Sequence, residues 1–280
     1  MEGWRWLFLI EGVGTIAFAA IAHLLLHDYP ANSKRLTPEE RELAVVRLIH
    51  DREVTASTAT RRLSPLQAFI ASIRDLRSYV FAILYMLGNG STTVSYFIPT
   101  VLFSMGYEGI QVQWMTVPIW AVGTFFLLVM PQSADRTGDR RWHVTGGLAM
   151  SFVSAIICFQ VQADVTRYVF LCFYISGLYS TLPLILTWIS ETIPLPAEKR
   201  AVSIALANSV GNLSAVYGSR LWPSTDAPDY ATGFTAVACF TGIGSLLAAT
   251  APIIFEYLPK FPTKAELEVK ESQEGMERSV

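Results

Sequence analysis

Seven strongly apolar stretches constrain this chain more than any other feature of its sequence. They cover residues 7–26, 79–103, 115–131, 142–162, 168–190, 201–221 and 232–255. A membrane-spanning helix needs about 20 apolar residues, and nearly every stretch has that length. Only helices and closed barrels satisfy their own backbone polar groups inside a bilayer, and the stretches lack the alternating period of barrel strands. The sequence therefore predicts an all-α, multi-pass membrane protein with about seven transmembrane helices.

Composition and missing motifs exclude several classes of protein. With 52% hydrophobic and 16% charged residues, the chain has too little polar surface for a soluble globule of its size. Its 21 basic and 23 acidic residues argue against a nucleic-acid partner, which usually requires a basic face. The sequence has neither a Gly-x-x-x-x-Gly-Lys loop nor a His-Glu-x-x-His pair. We therefore expect neither an enzyme nor a metal ion or other cofactor.

The distribution of Lys and Arg predicts the orientation. The segment from 27 to 78 holds nine of them, and the loops between later stretches alternate between basic and almost uncharged. Summed by side, 18 basic residues lie on one face of the membrane and 3 on the other. Because cytoplasmic loops carry the excess of Lys and Arg, we expect residues 27–78 and the C-terminal tail to be cytoplasmic and the N-terminus to be outside.

The long cytoplasmic segment contains further helix signals. Thr37 is a capping candidate, Pro38 suits the first helical position, and acidic residues follow, so we predict an amphipathic helix over 38–53. A Ser, Thr and Ala run at 55–60 predicts a flexible joint, and 66–73 a short amphipathic piece near the membrane. The predicted organisation is a first transmembrane helix at 1–26, a central loop at 27–78, a six-helix bundle at 79–255 and a tail at 256–280.

The most specific motif follows the third apolar stretch and runs Asp-Arg-Thr-Gly-Asp-Arg-Arg from Asp135 to Arg141. One interpretation is a charged turn, in which Gly138 supplies the backbone freedom of a tight reversal. The other is an ionic latch: Asp135 caps or pairs with a neighbouring helix, while Arg136 and Arg140 hold acidic partners in one conformational state. The sequence alone leaves both interpretations open.

The motif resembles the signature of the major facilitator superfamily, Gly-x-x-x-Asp-Arg-x-Gly-Arg-Arg or Lys. Asp135, Arg136, Gly138 and Arg140 match it, whereas Pro131 and Asp139 depart from it, which implies a weaker latch. Counting from this signature, the first stretch resembles helix six of a twelve-helix transporter and the following six resemble helices seven to twelve. The resemblance also implies that helices one to five, and with them the N-terminal half needed for a complete transporter, are missing.

Two further segments narrow the resemblance to the fungal anion:cation symporters, the allantoate permease group. They are residues 3–12, which resemble the start of that group's helix six, and 226–234, which resemble its extracellular loop before helix twelve. The resemblance implies a plasma-membrane symporter that takes up a small organic anion of the allantoate, nicotinate or pantothenate class together with a proton. The alternative is a non-transporting membrane sensor or an inactive fragment of such a transporter.

Polar residues inside the apolar stretches are the candidates for substrate contact, because each is costly in hydrocarbon. On the second stretch four of them share a helical face beside Gly88, Gly90 and Pro99, which can break or bend the helix. The candidates are Tyr85, Asn89, Thr93, Tyr96, Thr181, Trp188, Asn208 and Asn212. Helix packing is the competing interpretation for the amides and hydroxyls, and an interfacial position is the competing one for Trp188.

Glu11 is the carboxylate that lies well inside a predicted span. It is the candidate carrier of a coupling proton, and a structural hydrogen bond is the alternative role. No Lys or Arg lies deep enough in a span to pair with a carboxylate substrate, so such a residue is expected in the missing half.

The predicted orientation is testable by labelling. Single cysteines at Ser57 and Ser224, in a variant that lacks the three native cysteines, should react with an impermeant maleimide from opposite faces of sealed vesicles, because the basic residues assign these segments to opposite sides. Reaction of both from one face would contradict the orientation and the number of spans together.

Overall fold

Apolar helices account for most of the chain in the computed structural model. The structure describes residues 3–26, 32–33, 36–56, 63–161, 163–193, 196–218, 220–227 and 229–259, and in these ranges it contains no strand. The helices are α1 (Gly3–Leu25), α2 (Pro38–Ala56), α3 (Pro65–Arg74), α4 (Leu76–Ser91), α5 (Ile98–Ser104), α6 (Ile110–Thr137), α7 (Arg140–Gln160), α8 (Asp164–Thr192), α9 (Ala197–Asn212), α10 (Ser214–Gly218) and α11 (Ala231–Tyr257), with 3-10 segments at Thr92–Phe97 and Ser224–Asp226.

The chain divides into two compact units. Helices α1 and α2 belong to the first, and α3 to α11 belong to the second. In the first unit α1 is predominantly apolar and has no buried residue, as expected of a helix surrounded by lipid or by other helices. Helix α2 begins where predicted, because Glu40 accepts hydrogen bonds from the backbone and hydroxyl of Thr37, each at 2.9 Å.

Five of the seven predicted spans are single helices long and apolar enough to cross a membrane, namely α1, α6, α7, α8 and α11. Helix α6 extends beyond the predicted 115–131 at both ends. It therefore includes the Asp and Arg at the start of the charged motif, and the predicted loop at 132–141 shrinks to Gly138 and Asp139. Gly138 ends α6 with a left-handed backbone, φ 68°, and the Asp139 carboxylate caps the first turn of α7.

The span predicted at 79–103 is interrupted, and the break lies between the residues expected to cause it. Helix α4 ends at Ser91 and a 3-10 segment leads to α5, where Pro99 occupies the first turn and costs no hydrogen bond. In the break, the hydroxyls of Thr92, Thr93 and Ser95 each donate to a carbonyl three residues earlier, at 2.7 to 2.8 Å. Such bonds compete with the regular helical ladder and explain its local loss.

The span predicted at 201–221 is interrupted as well. Helix α9 ends at Asn212, Leu213 forms a turn, and α10 runs only to Gly218. Ser219 lies outside the described residues. The two interrupted spans are neighbours, since α4 packs along α9 and contacts α10.

Helix α8 lies at the centre of the second unit and packs against α4, α6 and α7. It is the most buried of the five long spans. Its closest neighbour is α7, where the two backbones meet at Gly147 and Gly177, and a Cβ on Gly177 would overlap the carbonyl oxygen of Gly147. Small residues permit this approach, which in a membrane supplies packing energy that the hydrophobic effect does not.

Two cytoplasmic predictions fall partly outside the description. Of the predicted joint at 55–60, Thr55 and Ala56 form the end of α2, and 57–60 lie outside the described residues. Of the predicted tail, Glu256 and Tyr257 complete α11, and 260–280 likewise lie outside them. The short amphipathic piece predicted at 66–73 is helix α3.

Candidate functional site

The eight predicted substrate residues divide by exposure. Tyr85, Thr93, Thr181 and Trp188 are buried, with exposures of 8% or less. In contrast, Tyr96 is 78% exposed, the Asn208 and Asn212 side chains are exposed as well, and Asn89 is half-buried. The structure therefore brings only part of the predicted set to an accessible surface.

Tyr85 and Asn89 join the two interrupted spans. The Tyr85 ring lies over Gly211, where any Cβ would overlap it. The Asn89 amide donates to the Gly211 carbonyl at 3.1 Å and to the Ser214 hydroxyl at 3.2 Å. Because α9 ends at Asn212, Gly211 lies in the last turn, and the Asn89 amide adds a donor to its carbonyl there.

Thr93 and Thr181 contribute to helix packing. The Thr93 methyl lies against Gly218 of α10. The Thr181 hydroxyl donates to the Gly177 carbonyl at 2.6 Å and borders Gly147 at the close contact of α7 with α8. Both hydroxyls are thus satisfied within the protein.

Trp188 belongs to an aromatic cluster at the meeting of α4, α8 and α11. Its ring meets Phe81 edge-on with centroids 5.3 Å apart, and Phe255 at 6.4 Å. Edge-to-face contacts of this kind stabilise the packing beyond simple burial.

Tyr174 is a buried polar residue that the predicted set omits. It is fully buried in α8, and its hydroxyl donates to the Ser91 carbonyl at 2.7 Å, where α4 ends. In the sequence Tyr174, Thr181 and Trp188 are spaced seven residues apart, which places them on one face of a helix. That periodicity could not show that the Tyr174 hydroxyl would reach a broken helix.

The exposed amides lie together on α9. Asn212 donates to the carbonyl and to the side-chain oxygen of Asn208, at 2.8 and 3.0 Å. Glu11 lies in the first unit, on the exposed surface of α1, where its carbonyl accepts the Thr15 hydroxyl at 2.7 Å.

The charged motif forms a three-residue ionic cluster, which we call the latch cluster: Asp135, Arg140 and Glu191. Arg140 lies 2.5 Å from Asp135 of α6 and 2.9 Å from Glu191 at the end of α8. The Arg140 side chain is 12% exposed, whereas the carboxylates are 62% and 49% exposed. Arg136 is also exposed. One guanidinium therefore links the ends of three helices, and Glu191 is a partner that the sequence did not identify.

A second cluster, the buried ion cluster, consists of Asp75, Arg77 and Lys199. Asp75 lies between α3 and α4, and its carboxylate is 2.6 Å from the Arg77 guanidinium and 2.9 Å from the Lys199 ammonium. Lys199 is fully buried. Burial raises the pKa of Asp75, but the hydrogen bonds from Arg77 and Lys199 outweigh it, so the pKa is lowered overall.

The buried ion cluster fastens α3, α4, α8 and α9 together. Arg77 also donates to the Thr192 carbonyl at the end of α8, at 3.2 Å, where the helix dipole favours a cation. The Ser72 hydroxyl of α3 donates to the Lys199 carbonyl at 3.0 Å. The sequence signal was weak, because Asp75 and Lys199 are far apart along the chain and each looks like an ordinary loop charge.

Two surface grooves are lined by other residues. One of about 380 Å³ lies between α7 and α11 and includes Phe152 and Cys239. The other, of about 260 Å³, lies between α6 and α7 and includes Trp142 and His143. Neither is lined by any of the eight predicted substrate residues.

Comparison with known protein families identifies the same family that the charged motif at Asp135 to Arg141 resembles. The sequence pattern of the family described as Major Facilitator Superfamily matches residues 2–219.

Similar curated proteins carry transporter names. The "MFS transporter prlL" of a fungal species is 30% identical over 85% of this chain and 50% of its own length. The "Major facilitator-type transporter hxnP" of Emericella nidulans is 26% identical over 89% of this chain and 50% of its own length. The "Putative tartrate transporter" of Agrobacterium vitis is 25% identical over 90% of this chain and 58% of its own length. The chain thus spans about half the length of the curated relatives it matches.

The buried ion cluster predicts a specific loss of stability. Asp75→Asn should lower the free energy of unfolding in detergent by about 3 kcal/mol, because it removes a carboxylate that pairs with the buried Lys199 ammonium. Since the folded-state pKa of Asp75 is lowered, its stabilisation is present above the unfolded pKa of about 3.9 and is lost as the pH falls through the folded pKa. The wild type should therefore show a loss of stability below about pH 4 that Asp75→Asn lacks.

The controls are Glu108→Gln, at an exposed carboxylate, and the double variant Asp75→Leu with Lys199→Met. The first should leave stability unchanged. The second should cost less than the two single changes together, because an apolar pair can replace a buried ion pair at little cost. Additive losses in the double variant would contradict the pairing.

Proposed function

Since the chain belongs to the Major Facilitator Superfamily, we propose that it forms part of a secondary transporter that moves a small organic anion together with a proton across the plasma membrane. It supplies helix six and the C-terminal six-helix half. The observation that carries the proposal is the pair of interrupted spans, α4 with α5 and α9 with α10, which lie side by side. Transporters build their substrate sites near such discontinuous helices.

The substrate class rests on three similarities. Residues 3–12 and 226–234 resemble the fungal anion:cation symporters of the allantoate permease group. The bacterial relative is named for tartrate, which is a small dicarboxylate. The predicted spans contain no deep Lys or Arg, so in this proposal the residue that neutralises the substrate lies in the other half of the transporter.

The accessible polar groups on the interrupted spans are the substrate contacts in this proposal. Tyr96, Asn208 and Asn212 offer a hydroxyl and two amides that can hydrogen-bond an oxyanion. Asn89 is the link between them and the helix break. Four buried residues lie behind this surface and hold the helices together by packing: Tyr85, Thr93, Thr181 and Trp188. Glu11 carries the coupling proton.

The latch cluster has the energetics of a switch. Exposed ion pairs stabilise by about 0 to 1 kcal/mol each, so the two contacts of Arg140 can break and reform as the two halves of a transporter rock. A buried pair costs about 3 to 5 kcal/mol to break, which suits the Asp75 and Lys199 pair to a permanent role. Asp135, Arg140 and Glu191 thus hold one of the two states, with Gly138 allowing the tight corner and Arg136 available to an acidic partner in the other half.

Uptake by reconstituted protein tests the proposal. The 280-residue chain alone should not accumulate allantoate, nicotinate, pantothenate or tartrate in proteoliposomes under a proton gradient, because it offers one wall of a cavity that needs two. With the upstream helices restored, one of these anions should accumulate and the gradient should drive it. Gradient-driven uptake by the chain alone would contradict the division into halves.

In the complete transporter, Tyr96→Phe and Asn208→Ala should each reduce uptake about tenfold at low substrate concentration, the effect of losing one hydrogen bond to a charged ligand. Cys239→Ala is the matched control, since this exposed thiol lies in the groove between α7 and α11. Anion binding without uptake would favour the alternative, a membrane sensor. Neither binding nor uptake would favour an inactive fragment.

A further inference from the structure

Helix α3 presents four large apolar side chains to its surroundings. Leu66, Phe69, Ile70 and Ile73 are 68%, 44%, 42% and 39% exposed. Their spacing of three, four and seven residues aligns them along one face. We call this face the apolar stripe of α3. A contiguous apolar surface of this kind on an otherwise charged segment indicates a binding surface.

The opposite side of α3 is fixed to the bundle. Ala68 and Ser72 are buried against α9, and the Ser72 hydroxyl donates to the Lys199 carbonyl. Asp75, which follows the helix, is held by the buried ion cluster. The stripe cannot turn inward without breaking these contacts, so it needs an external partner.

The helix itself is well formed. Ser64 and Gln67 make a reciprocal capping box, with bonds of 3.1 and 3.3 Å, and Pro65 begins the first turn. The backbone of Asp75 is extended, with ψ 106°, so the axes of α3 and α4 are not continuous. Ten helical residues measure about 15 Å. This length suits a helix lying on a membrane and is too short for one crossing it.

Charge on α3 identifies the partner. Gln67 and Arg74 are exposed and lie about 100° around the helix from the centre of the stripe. Arg61 and Arg62 precede the helix in sequence. The distribution of Lys and Arg assigns this segment to the cytoplasmic side, where the leaflet carries anionic lipids. An apolar arc beside a polar arc that carries a basic residue fits an interfacial helix.

We propose that α3 is an interfacial helix: its apolar stripe lies among the acyl chains at the cytoplasmic surface of the membrane, and Arg74 binds the phosphate of an anionic phospholipid headgroup. The membrane then fixes the level at which α4 enters the bilayer, because α3 and α4 meet at Asp75. This role does not depend on whether the chain transports an anion.

Depth measurements on the whole 280-residue chain test this role. An environment-sensitive fluorophore is attached at Phe69→Cys in the Cys239→Ala background, where the remaining Cys158 and Cys172 are buried. The chain is reconstituted in phosphatidylcholine vesicles with or without phosphatidylserine. Quenching is measured with lipids brominated high in the acyl chain and with aqueous iodide. Gln67→Cys, on the polar arc of the same helix, is the matched control, and Ile70→Cys is a second probe of the stripe.

Labels at Phe69 and Ile70 should be quenched by brominated lipid several-fold more than the label at Gln67, and by iodide less. Phosphatidylserine should increase the lipid quenching at Phe69, and Arg74→Gln should remove most of that increase, because one basic residue near an anionic surface shifts such an equilibrium about fivefold. Equal quenching at Phe69 and Gln67 would overturn the proposal. Shielding of Phe69 from both quenchers would also overturn it, because protein would then cover the stripe. Lipid quenching unaffected by phosphatidylserine would overturn the headgroup contact.

Discussion

Backbone polar groups released by a broken helix must find partners inside the protein, because a bilayer offers none. The second unit meets this constraint at two neighbouring breaks. Where α4 ends, the Ser91 carbonyl accepts the Tyr174 hydroxyl from α8. Where α9 ends, the Gly211 carbonyl accepts the Asn89 amide from α4. Each of these two side chains adds a hydrogen bond at the end of an interrupted helix, and the proposed substrate surface lies on the same interrupted spans.

The two ionic clusters differ in how easily they break: the buried ion cluster is costly to break, and the latch cluster is not. Asp75 and Lys199 are buried, and breaking their ion pair costs about 3 to 5 kcal/mol, so α3, α4, α8 and α9 keep their arrangement around this pair. Arg140 instead reaches two exposed carboxylates, which solvent can compete for at little cost. In the proposed transporter both properties are needed, since one half must move as a body and yet release its contacts with the other half.

The sequence was sufficient for features encoded by local pattern. Hydropathy predicted five spans that are single helices. The charged motif contains Asp135 and Arg140, which the structure brings into an ion pair, and their role as a latch stays a prediction. The sequence was insufficient where partners are distant in sequence. The α4 break occurs where the hydroxyls of Thr92, Thr93 and Ser95 bond to the backbone, and a hydropathy scale does not register such bonds. From the sequence Asn89 is a candidate for ligand contact, whereas in the structure its amide bonds to Gly211 of another helix. Exposure then separates Tyr96 from Tyr85, although both lie on one predicted helical face.

Amide hydrogen exchange across the α4 break tests the central claim most directly. Tyr174→Phe removes one hydroxyl and leaves the buried Ser91 carbonyl without its side-chain donor, a loss worth about 1 to 3 kcal/mol. The account predicts that amides of Thr92–Phe97 exchange at least about tenfold faster in Tyr174→Phe than in the wild type, while Tyr79→Phe, at an exposed ring of α4, changes nothing. Equal exchange in Tyr174→Phe and the wild type would contradict the claim that this hydroxyl stabilises the broken helix.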